Sequence, residues 1–229
     1  MLGSMVVKYF STMSDCQLET TNLRWPTGSF KKYITDFSGA VVINCIGAVP
    51  QRASTFSINF ELPIWLEQNA PCPIVHAGTD CDGGSDGYGM SKKKASDYLL
   101  SDGQKTKSIK ASIIGPEPNN KKSLLEWLLN SEGSVKGYTS QMWNGVTTLQ
   151  WSKICWSLVN NYDTFARITI PYSECISKFA LLTIIKDVYQ KDINIVGDNS
   201  IKVNKCLDGN LQTPDIKTQI TELRTFSLL

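Results

Sequence analysis

Residues 73–100 read PIVHAGTDCDGGSDGYGMSKKKASDYLL and combine an apolar segment, a polar loop and a helical pattern. Its first apolar residues, Ile74 and Val75, lie between a proline and a glycine, which is typical of the end of a buried parallel strand. A loop rich in glycine, aspartate and serine follows over residues 82–87. A helical pattern begins near Tyr88. A buried strand, a loop and a helix in this order predict an α/β fold with a parallel sheet.

The same stretch carries three side chains suited to proton transfer. Tyr88 and Lys92 are four residues apart, so a helix places both on one side, and Thr79 follows the strand. A tyrosine with a pKa of about 10 is a weak catalyst near neutral pH. An ammonium about 4 Å away supplies about 4 kcal/mol at an effective dielectric constant of about 20. We therefore expect Lys92 to lower the pKa of Tyr88. Tyr88 would protonate the oxygen of a carbonyl group that a nicotinamide reduces, and Thr79 would hydrogen-bond the same oxygen.

Four segments together resemble the short-chain dehydrogenase/reductase superfamily, in its extended branch of dTDP-4-dehydrorhamnose reductases and related nucleotide-sugar reductases. They are Thr79-Asp80-Cys81, Tyr88-Gly-x-Ser-Lys92, Ser112-Ile-Ile-Gly-Pro-Glu117 and Trp143-Asn-Gly-Val-Thr-Thr148. They occur in family order and cover nearly the whole chain. The resemblance implies a Rossmann-like parallel sheet flanked by helices, with a small interleaved C-terminal α/β substrate lobe. The family usually has a longer segment after Thr-Asp, so we expect an altered substrate-side loop here.

The resemblance divides the chain near residue 115. Residues 1–115 are expected to form an NADP-binding domain, and residues 116–229 mainly a substrate-binding lobe, with a helix near 147–160 returning to the sheet domain. Met1-Leu2-Gly3 is similar to the tail of the family's G-x-x-G-x-x-G loop. The first strand and two of these glycines would then be absent. Because these glycines let the backbone approach the cofactor pyrophosphate, we expect an N-terminally incomplete domain with weakened cofactor binding.

Cofactor contacts follow from the resemblance. Arg24 comes after a predicted strand at residues 16–20, where the family reads the adenosine ribose, and a basic residue there can hold the extra phosphate of NADP. A solvated loop arginine is the alternative. We expect NADPH as the cofactor, with NADH as the second choice. The expected cofactor-binding residues are Leu2, Gly3, Arg24, Asn44, Gly47, Ala48, Tyr88, Lys92 and Ile114.

Substrate contacts are implied in the same way. Trp143 and Asn144 lie where the family places substrate-adjacent residues, and Lys205 lies in a segment similar to the patch that holds a sugar-nucleotide diphosphate. A solvated loop lysine is the alternative for Lys205. The expected substrate-binding residues are Gln51, Asp80, Trp143, Asn144 and Lys205. The implied substrate is a nucleotide 4-keto-6-deoxy-sugar, dTDP- or UDP-linked, reduced towards a nucleotide-rhamnose-type product. Epimerase activity is left open.

Two other functions fit the same sequence. A non-catalytic binding or regulatory subunit of this fold is favoured by the incomplete nucleotide loop and the short segment after Thr79-Asp80, whereas the complete Thr/Tyr/Lys set argues against it. An epimerase or dehydratase of the same fold is the third reading. Dehydratases need an acidic residue beside the threonine, and Asp80 occupies that position, although reductases share it.

The composition bounds the class of protein. The chain has 229 residues, 41% of them hydrophobic, which is enough for a substantial core. The formal charge of +2 is too small to indicate nucleic-acid binding, and no apolar run approaches the roughly 20 residues of a membrane helix.

Seven cysteines without C-x-x-C pairs and one histidine, His76, argue against a metal site. An odd cysteine count and no signal-like segment favour a reducing, cytoplasmic setting. The oligomeric state is open, with a homodimer as the candidate.

Hydrophobic patterns predict the remaining elements. Strands are expected at residues 16–20, 40–47, 108–115, 168–170 and 193–196. Helices are expected at residues 2–10, 30–37, 56–69, 124–128, 148–158, 178–188 and 216–226. Pro63 is expected to kink or break the third of these helices.

Overall fold

The computed structural model describes residues 1–118 and 122–228. The helices are α1 (Leu2–Phe10), α2 (Gly28–Thr35), α3 (Ile58–Asn69), α4 (Gly87–Ser101), α5 (Leu124–Asn130), α6 (Thr148–Asn160), α7 (Lys178–Tyr189) and α8 (Ile216–Leu228), with a 3-10 turn at Tyr162–Thr164. The strands are β1 (Val42–Asn44), β2 (Ile74–Ala77), β3 (Thr106–Ile109), β4 (Ile113–Ile114), β5 (Ser134–Trp143), β6 (Val146–Thr147), β7 (Ile168–Thr169), β8 (Pro171–Tyr172), β9 (Ile176–Ser177), β10 (Asn194–Asn204) and β11 (Leu211–Gln212). The α/β class predicted from the sequence is confirmed.

The chain folds into two compact units. Residues 13–110 and 155–169 form one, here called the parallel-sheet unit. Residues 1–12, 111–154 and 170–229 form the other, here called the mixed-sheet unit. The chain passes between the units more than once, so neither is a single continuous segment. The division near residue 115 stays a prediction about which part binds cofactor and which binds substrate.

The parallel-sheet unit is built on four strands in the order β1-β2-β3-β7, all parallel. Helices α3 and α4 are the connections between consecutive strands, as parallel pairing requires. Apolar residues of α2, α3 and β2 form a buried cluster on this sheet: Phe30, Ile34, Leu62, Leu66, Ala70 and Ile74. Because parallel strands point the same way, residues that follow β1, β2 and β3 meet at one edge of the sheet.

Side-chain caps fix where several helices begin. Thr27 accepts a hydrogen bond from the Phe30 amide at the start of α2, and Ser123 and Ser177 cap α5 and α7 in the same way. At α6 the Thr147 hydroxyl accepts from the Gln150 amide. The starts at Ser123, Thr147 and Ser177 agree with those predicted from sequence, whereas α2 begins at Gly28 instead of residue 30. Helix α3 continues through Pro63, so the predicted break at that proline is not seen.

The mixed-sheet unit contains a three-stranded sheet in the order β10-β5-β9, in which β10 is parallel and β9 antiparallel to β5. Two short parallel pairs, β11 with β8 and β4 with β6, lie in the same unit. Its core packs apolar residues of α5, α7 and α8, among them Leu128, Leu181 and Ile220. A disulfide joins Cys175, just before β9, to Cys206, just after β10. Such bonds persist mainly in oxidising environments, so the reducing setting stays a prediction.

Two predicted strands differ in the structure. Residues 16–20 form no strand, and residues 17–20 are exposed; a strand there would have neither a hydrogen-bonded neighbour nor a buried face. The single strand predicted at residues 108–115 is two strands, β3 and β4, which pair with different partners. No described helix is long and apolar enough to cross a membrane.

Candidate active site

Thr79, Tyr88 and Lys92 come together at the carboxyl edge of the parallel sheet. Thr79 is buried two residues after β2 ends, Tyr88 is the second residue of α4, and Lys92 lies one turn further along that helix. The Tyr88 hydroxyl donates to Thr79 Oγ1 at 3.5 Å. Tyr88 is half-buried, whereas Lys92 is buried. The Thr79 and Tyr88 side chains are therefore neighbours in space, and Lys92 lies one helical turn from Tyr88.

The position of Tyr88 is set by the start of α4. Asp86 caps the helix, and its Oδ1 accepts from the Gly89 amide at 2.6 Å. A Cβ on Gly89 would lie 2.7 Å from the carbonyl oxygens of Cys81 and Gly84. The loop after β2 therefore packs directly on the first turn of the helix, where only glycine fits. This contact fixes Tyr88 relative to Thr79.

Burial is the largest influence on the pKa values of Tyr88 and Lys92. It raises the pKa of Tyr88 above its ordinary value, the hydrogen bond with Thr79 lowers it, and nearby Cys81, Asp80 and Asp86 raise it. The predicted lowering of the Tyr88 pKa by Lys92 is therefore not seen. Burial lowers the pKa of Lys92 to about 8, and the negative charge of Asp82 opposes this shift. At neutral pH Tyr88 is thus protonated and Lys92 is mainly charged.

The loop after β1 lies beside Lys92. Asn59 of α3 accepts from the Ala48 amide at 2.7 Å through Oδ1, and its Nδ2 donates to the Ala48 carbonyl at 3.0 Å and to Ser91 Oγ at 3.1 Å. A Cβ on Gly47 would lie 3.4 Å from Lys92 Nζ. Two of the expected cofactor residues, Gly47 and Ala48, are therefore held next to the buried lysine by one asparagine.

Asn44 and His76 form a buried pair on neighbouring strands. They are in register between β1 and β2, and Asn44 Nδ2 donates to His76 Nδ1 at 3.1 Å. Asn44 Oδ1 also accepts from the Ile46 amide at 3.0 Å, which shapes the turn towards Gly47. Burial lowers the pKa of His76 to about 3, and the charge of Lys92 adds to the shift. His76 is therefore a neutral acceptor at neutral pH.

The other predicted site residues of the parallel-sheet unit are Asp80, Gln51 and Arg24. Asp80 accepts from the Thr79 hydroxyl at 3.3 Å and from the Cys81 thiol at 3.4 Å. Gln51 is exposed in the turn region after β1. Arg24 is exposed, and its carbonyl accepts from the Thr27 hydroxyl at the cap of α2. Asp80 thus lies beside Thr79, and the roles of Asp80, Gln51 and Arg24 stay predictions.

The remaining predicted residues lie in the mixed-sheet unit. Leu2 and Ile114 are buried, and Gly3 is in the first turn of α1. Trp143 is buried, with its indole Nε1 donating to Ser112 Oγ at 2.7 Å and Lys178 Nζ 4.9 Å above its ring. The contacts of Trp143 are those of a core residue. Its expected role beside the substrate stays a prediction.

Asn144 holds the segment that carries Lys205. Its Nδ2 donates to the Leu207 carbonyl, and its Oδ1 accepts from the Leu207 amide, both at 2.9 Å. The Lys205 amide donates to the Met142 carbonyl at 3.1 Å, and the Lys205 residue is exposed. Asn144 therefore uses its carboxamide to position a loop of its own chain, one residue beyond the Cys206 disulfide.

Sequence reasoning missed one charged group at this edge. Asp82 forms an ion pair with Lys110 at 2.8 Å and accepts from the Ser96 hydroxyl at 3.2 Å. Asp82 is visible in the sequence as part of a polar loop. No local sequence pattern indicates that it pairs with Lys110, which follows a different strand. Within residues 1–118 and 122–228, no group of three or more His, Cys, Asp or Glu side chains could hold a metal ion.

Comparison with solved structures identifies the fold. A dTDP-4-dehydrorhamnose reductase from Clostridium acetobutylicum superposes with a TM-score of 0.75 at 15% identity, over 100% of this chain and 96% of that one. The chain has the fold of these enzymes. A dTDP-4-dehydrorhamnose reductase from Bacillus anthracis in complex with NADP matches with a TM-score of 0.68 at 11% identity, over 85% and 83% of the two chains.

The same fold also serves another reaction. A UDP-N-acetylglucosamine 4-epimerase from Bacillus cereus matches with a TM-score of 0.65 at 13% identity, over 98% of this chain and 92% of that one. No protein-family model matches the chain, and no curated protein matches it either. At these identities the comparisons establish the fold, and the reaction must be argued from the site.

Proposed function

We propose that this chain reduces the keto group of a nucleotide-linked sugar with NADPH. The observation that carries the proposal is the grouping of Thr79, Tyr88 and Lys92 at one edge of the parallel sheet, with 3.5 Å between the two hydroxyl oxygens. A proton donor and a second hydrogen-bonding group close together suit a carbonyl oxygen that becomes an alkoxide. Several solved enzymes of this fold act on nucleotide sugars, which supports the choice of substrate.

The residues beside Lys92 fit a nicotinamide cofactor. A Cβ on Gly47 would come within 3.2 Å of Asn59 Oδ1 and 3.4 Å of Lys92 Nζ, so the glycine keeps space open beside the ammonium. Gly47, Ala48, Tyr88 and Lys92 would hold the nicotinamide-ribose end, and the solved Bacillus anthracis reductase binds NADP. When bound, NADPH would supply a hydride to the carbonyl carbon. Arg24 is the candidate for the adenosine phosphate that separates NADPH from NADH.

Each side chain then has a defined task. Tyr88 is protonated at neutral pH because burial raises its pKa, which is the form needed to donate a proton to the substrate oxygen. Thr79 would donate its hydroxyl to the same oxygen in place of Asp80. Lys92 is mainly charged at neutral pH and, lying beside Gly47, would donate to the ribose next to the nicotinamide.

We also propose which sugar and which nucleotide the substrate contains. A 4-keto-6-deoxy-sugar linked to dTDP or UDP, reduced to a rhamnose-type product, fits the reductases that share the fold. Gln51 and Asp80 would contact the sugar, with Trp143 and Asn144 as further candidates. Lys205 would bind the diphosphate. Residues 116–229 would supply most of these contacts, and a cytoplasmic homodimer is the proposed working form.

Substitution of Tyr88 by phenylalanine tests the mechanism. Tyr88→Phe removes only the proton donor, so kcat for a 4-keto-sugar should fall by about 10²- to 10⁴-fold, while the Kd for NADPH should change little. Turnover is followed by NADPH absorbance, and binding by NADPH fluorescence titration, with NADH alongside.

Tyr98 on the same helix provides the matched control. Its hydroxyl accepts a hydrogen bond from Gln68 at 3.0 Å on the outer part of the helix, so Tyr98→Phe should leave kcat unchanged. Near wild-type turnover in Tyr88→Phe would reject the mechanism. NADPH binding without turnover of any 4-keto-sugar by the unaltered chain would instead indicate a non-catalytic binding subunit.

A further inference from the structure

Asp82 is a carboxylate beside the proposed site that contacts two other parts of the parallel-sheet unit. It lies in the loop after β2, and only 13% of its side chain is exposed. Its Oδ1 pairs with Lys110 Nζ at 2.8 Å, just after β3, and its Oδ2 accepts from Ser96 Oγ at 3.2 Å. The carboxylate is thus held from two sides, by a neighbouring strand and by α4.

The contact with Ser96 places Asp82 on a particular face of α4. Tyr88, Lys92 and Ser96 are spaced by four residues, so they lie along one side of the helix. A carboxylate that accepts from Ser96 therefore lies against the face that carries Lys92. The negative charge of Asp82 acts on Lys92 and favours its charged form.

Lys92 needs such a partner because it is buried. Moving an ammonium out of water costs several kcal/mol unless an opposite charge or hydrogen bonds replace the lost hydration. His76 of β2, whose pKa the charge of Lys92 helps to lower, is neutral above about pH 3, so it offers no negative charge. Lys110 is a second cation on the same carboxylate. Asp80 and Asp86 act on Tyr88 instead.

We propose that Asp82 is a positioning residue that keeps Lys92 in its charged form, held against α4 by its hydrogen bond with Ser96. This inference rests on the proposed function for its consequence in catalysis, because the proposed cofactor site uses Lys92 in its charged form. The short loop after Thr79-Asp80 then has a role: it brings a carboxylate back onto α4 within three residues of Thr79.

The direct test is the titration of Lys92 itself. The ¹³Cε signals of lysine-labelled protein are followed from pH 6 to pH 11 by NMR, and Lys92 is assigned with Lys92→Met. The wild-type midpoint is expected near pH 8. In Asp82→Asn it should fall by about one pH unit, because an attractive charge is lost. Asp82→Glu should restore most of the difference.

Two control variants separate charge from structure. Lys110→Met removes the ion pair but leaves the carboxylate, so the Lys92 midpoint should stay or rise. Asp97→Asn removes an exposed carboxylate on the outer face of the same helix, where it pairs with Lys93, and should change nothing. An unchanged Lys92 midpoint in Asp82→Asn overturns the inference. If Asp82→Asn does not fold, a lowered midpoint in Lys110→Met overturns it.

Turnover is measured on the same variants across the same pH range. In Asp82→Asn the alkaline fall in kcat/KM should move to lower pH with the NMR midpoint. A shifted midpoint in a chain that reduces no keto-sugar would uphold the role of Asp82 and reject the proposed function. An active reductase with an unshifted midpoint would reject the role of Asp82 alone.

Discussion

Lys92 and His76 are both buried bases, but at neutral pH Lys92 is mainly charged and His76 is neutral. Burial lowers the pKa of both, to about 8 for Lys92 and to about 3 for His76. Lys92 has the carboxylate of Asp82 nearby and keeps its proton at neutral pH. His76 faces the amide donor of Asn44, which requires an unprotonated ring nitrogen. The difference lies in the partners, since both groups are buried.

His76 should make the protein sensitive to acid. Its folded pKa of about 3 lies below the ordinary 6.5, so the stability it contributes is complete above pH 6.5 and is lost as the pH falls towards 3. Between pH 7 and pH 4.5 this amounts to about 2.5 kcal/mol. Urea unfolding at both pH values should show a smaller loss in His76→Gln than in the wild type. Equal losses in the two proteins would contradict the shifted pKa.

At the scale of elements, the position of α4 depends on how closely the preceding loop packs on it. Gly87 and Gly89 both lie in its first turn, but their surroundings differ. A Cβ on Gly87 would have its nearest neighbour, the Phe56 ring, at 3.6 Å, which is an ordinary contact. A Cβ on Gly89 would meet backbone atoms of Cys81 and Gly84 at 2.7 to 2.8 Å. The two glycines therefore give a matched pair of tests.

Gly89→Ala should destabilise the protein, and Gly87→Ala should not. The clash at Gly89 is with backbone that cannot rotate away, so we expect a loss of about 1–3 kcal/mol in the free energy of unfolding. Gly87→Ala should be neutral or stabilise by up to about 1 kcal/mol, because alanine favours the helix. Chemical denaturation of both variants measures the contrast. If Gly89→Ala proved as stable as Gly87→Ala, the close packing of the loop on α4 would be wrong.

Elements were predictable from sequence where the signal is local. Tyr88 and Lys92 share a helix face by spacing alone, and the caps at Ser123 and Ser177 are visible in the sequence. Strand assignment failed where it depends on a distant partner. The apolar pattern at residues 108–115 does not reveal that the Ser108 amide donates to Arg167 while the Ser112 carbonyl accepts from Val146. Those two partners belong to different sheets, so one predicted strand becomes two.

At the scale of the whole molecule, the sequence predicted the fold class and the proposed catalytic set but not the contacts that hold them. Asp82 and Lys110 are paired across two strands, and Asn144 binds the backbone of Leu207, 63 residues later. Such contacts depend on tertiary structure, which periodicity does not encode. The Cys175–Cys206 disulfide belongs to the same class, because seven cysteines without a spacing motif give no pairing.

This disulfide should contribute to the stability of the mixed-sheet unit. It joins residues 31 apart and encloses α7 and β10, so chain entropy predicts a loss of about 3–4 kcal/mol in the free energy of unfolding on reduction. Unfolding is compared with and without dithiothreitol, and thiol titration of unfolded protein should count five thiols before reduction and seven after. The double variant Cys175→Ser/Cys206→Ser should be less stable and indifferent to the reductant. Seven thiols before reduction would show that the bond is absent. Five thiols and an unchanged stability on reduction would show that Asn144 and the β10–β5 pairing hold this segment without it.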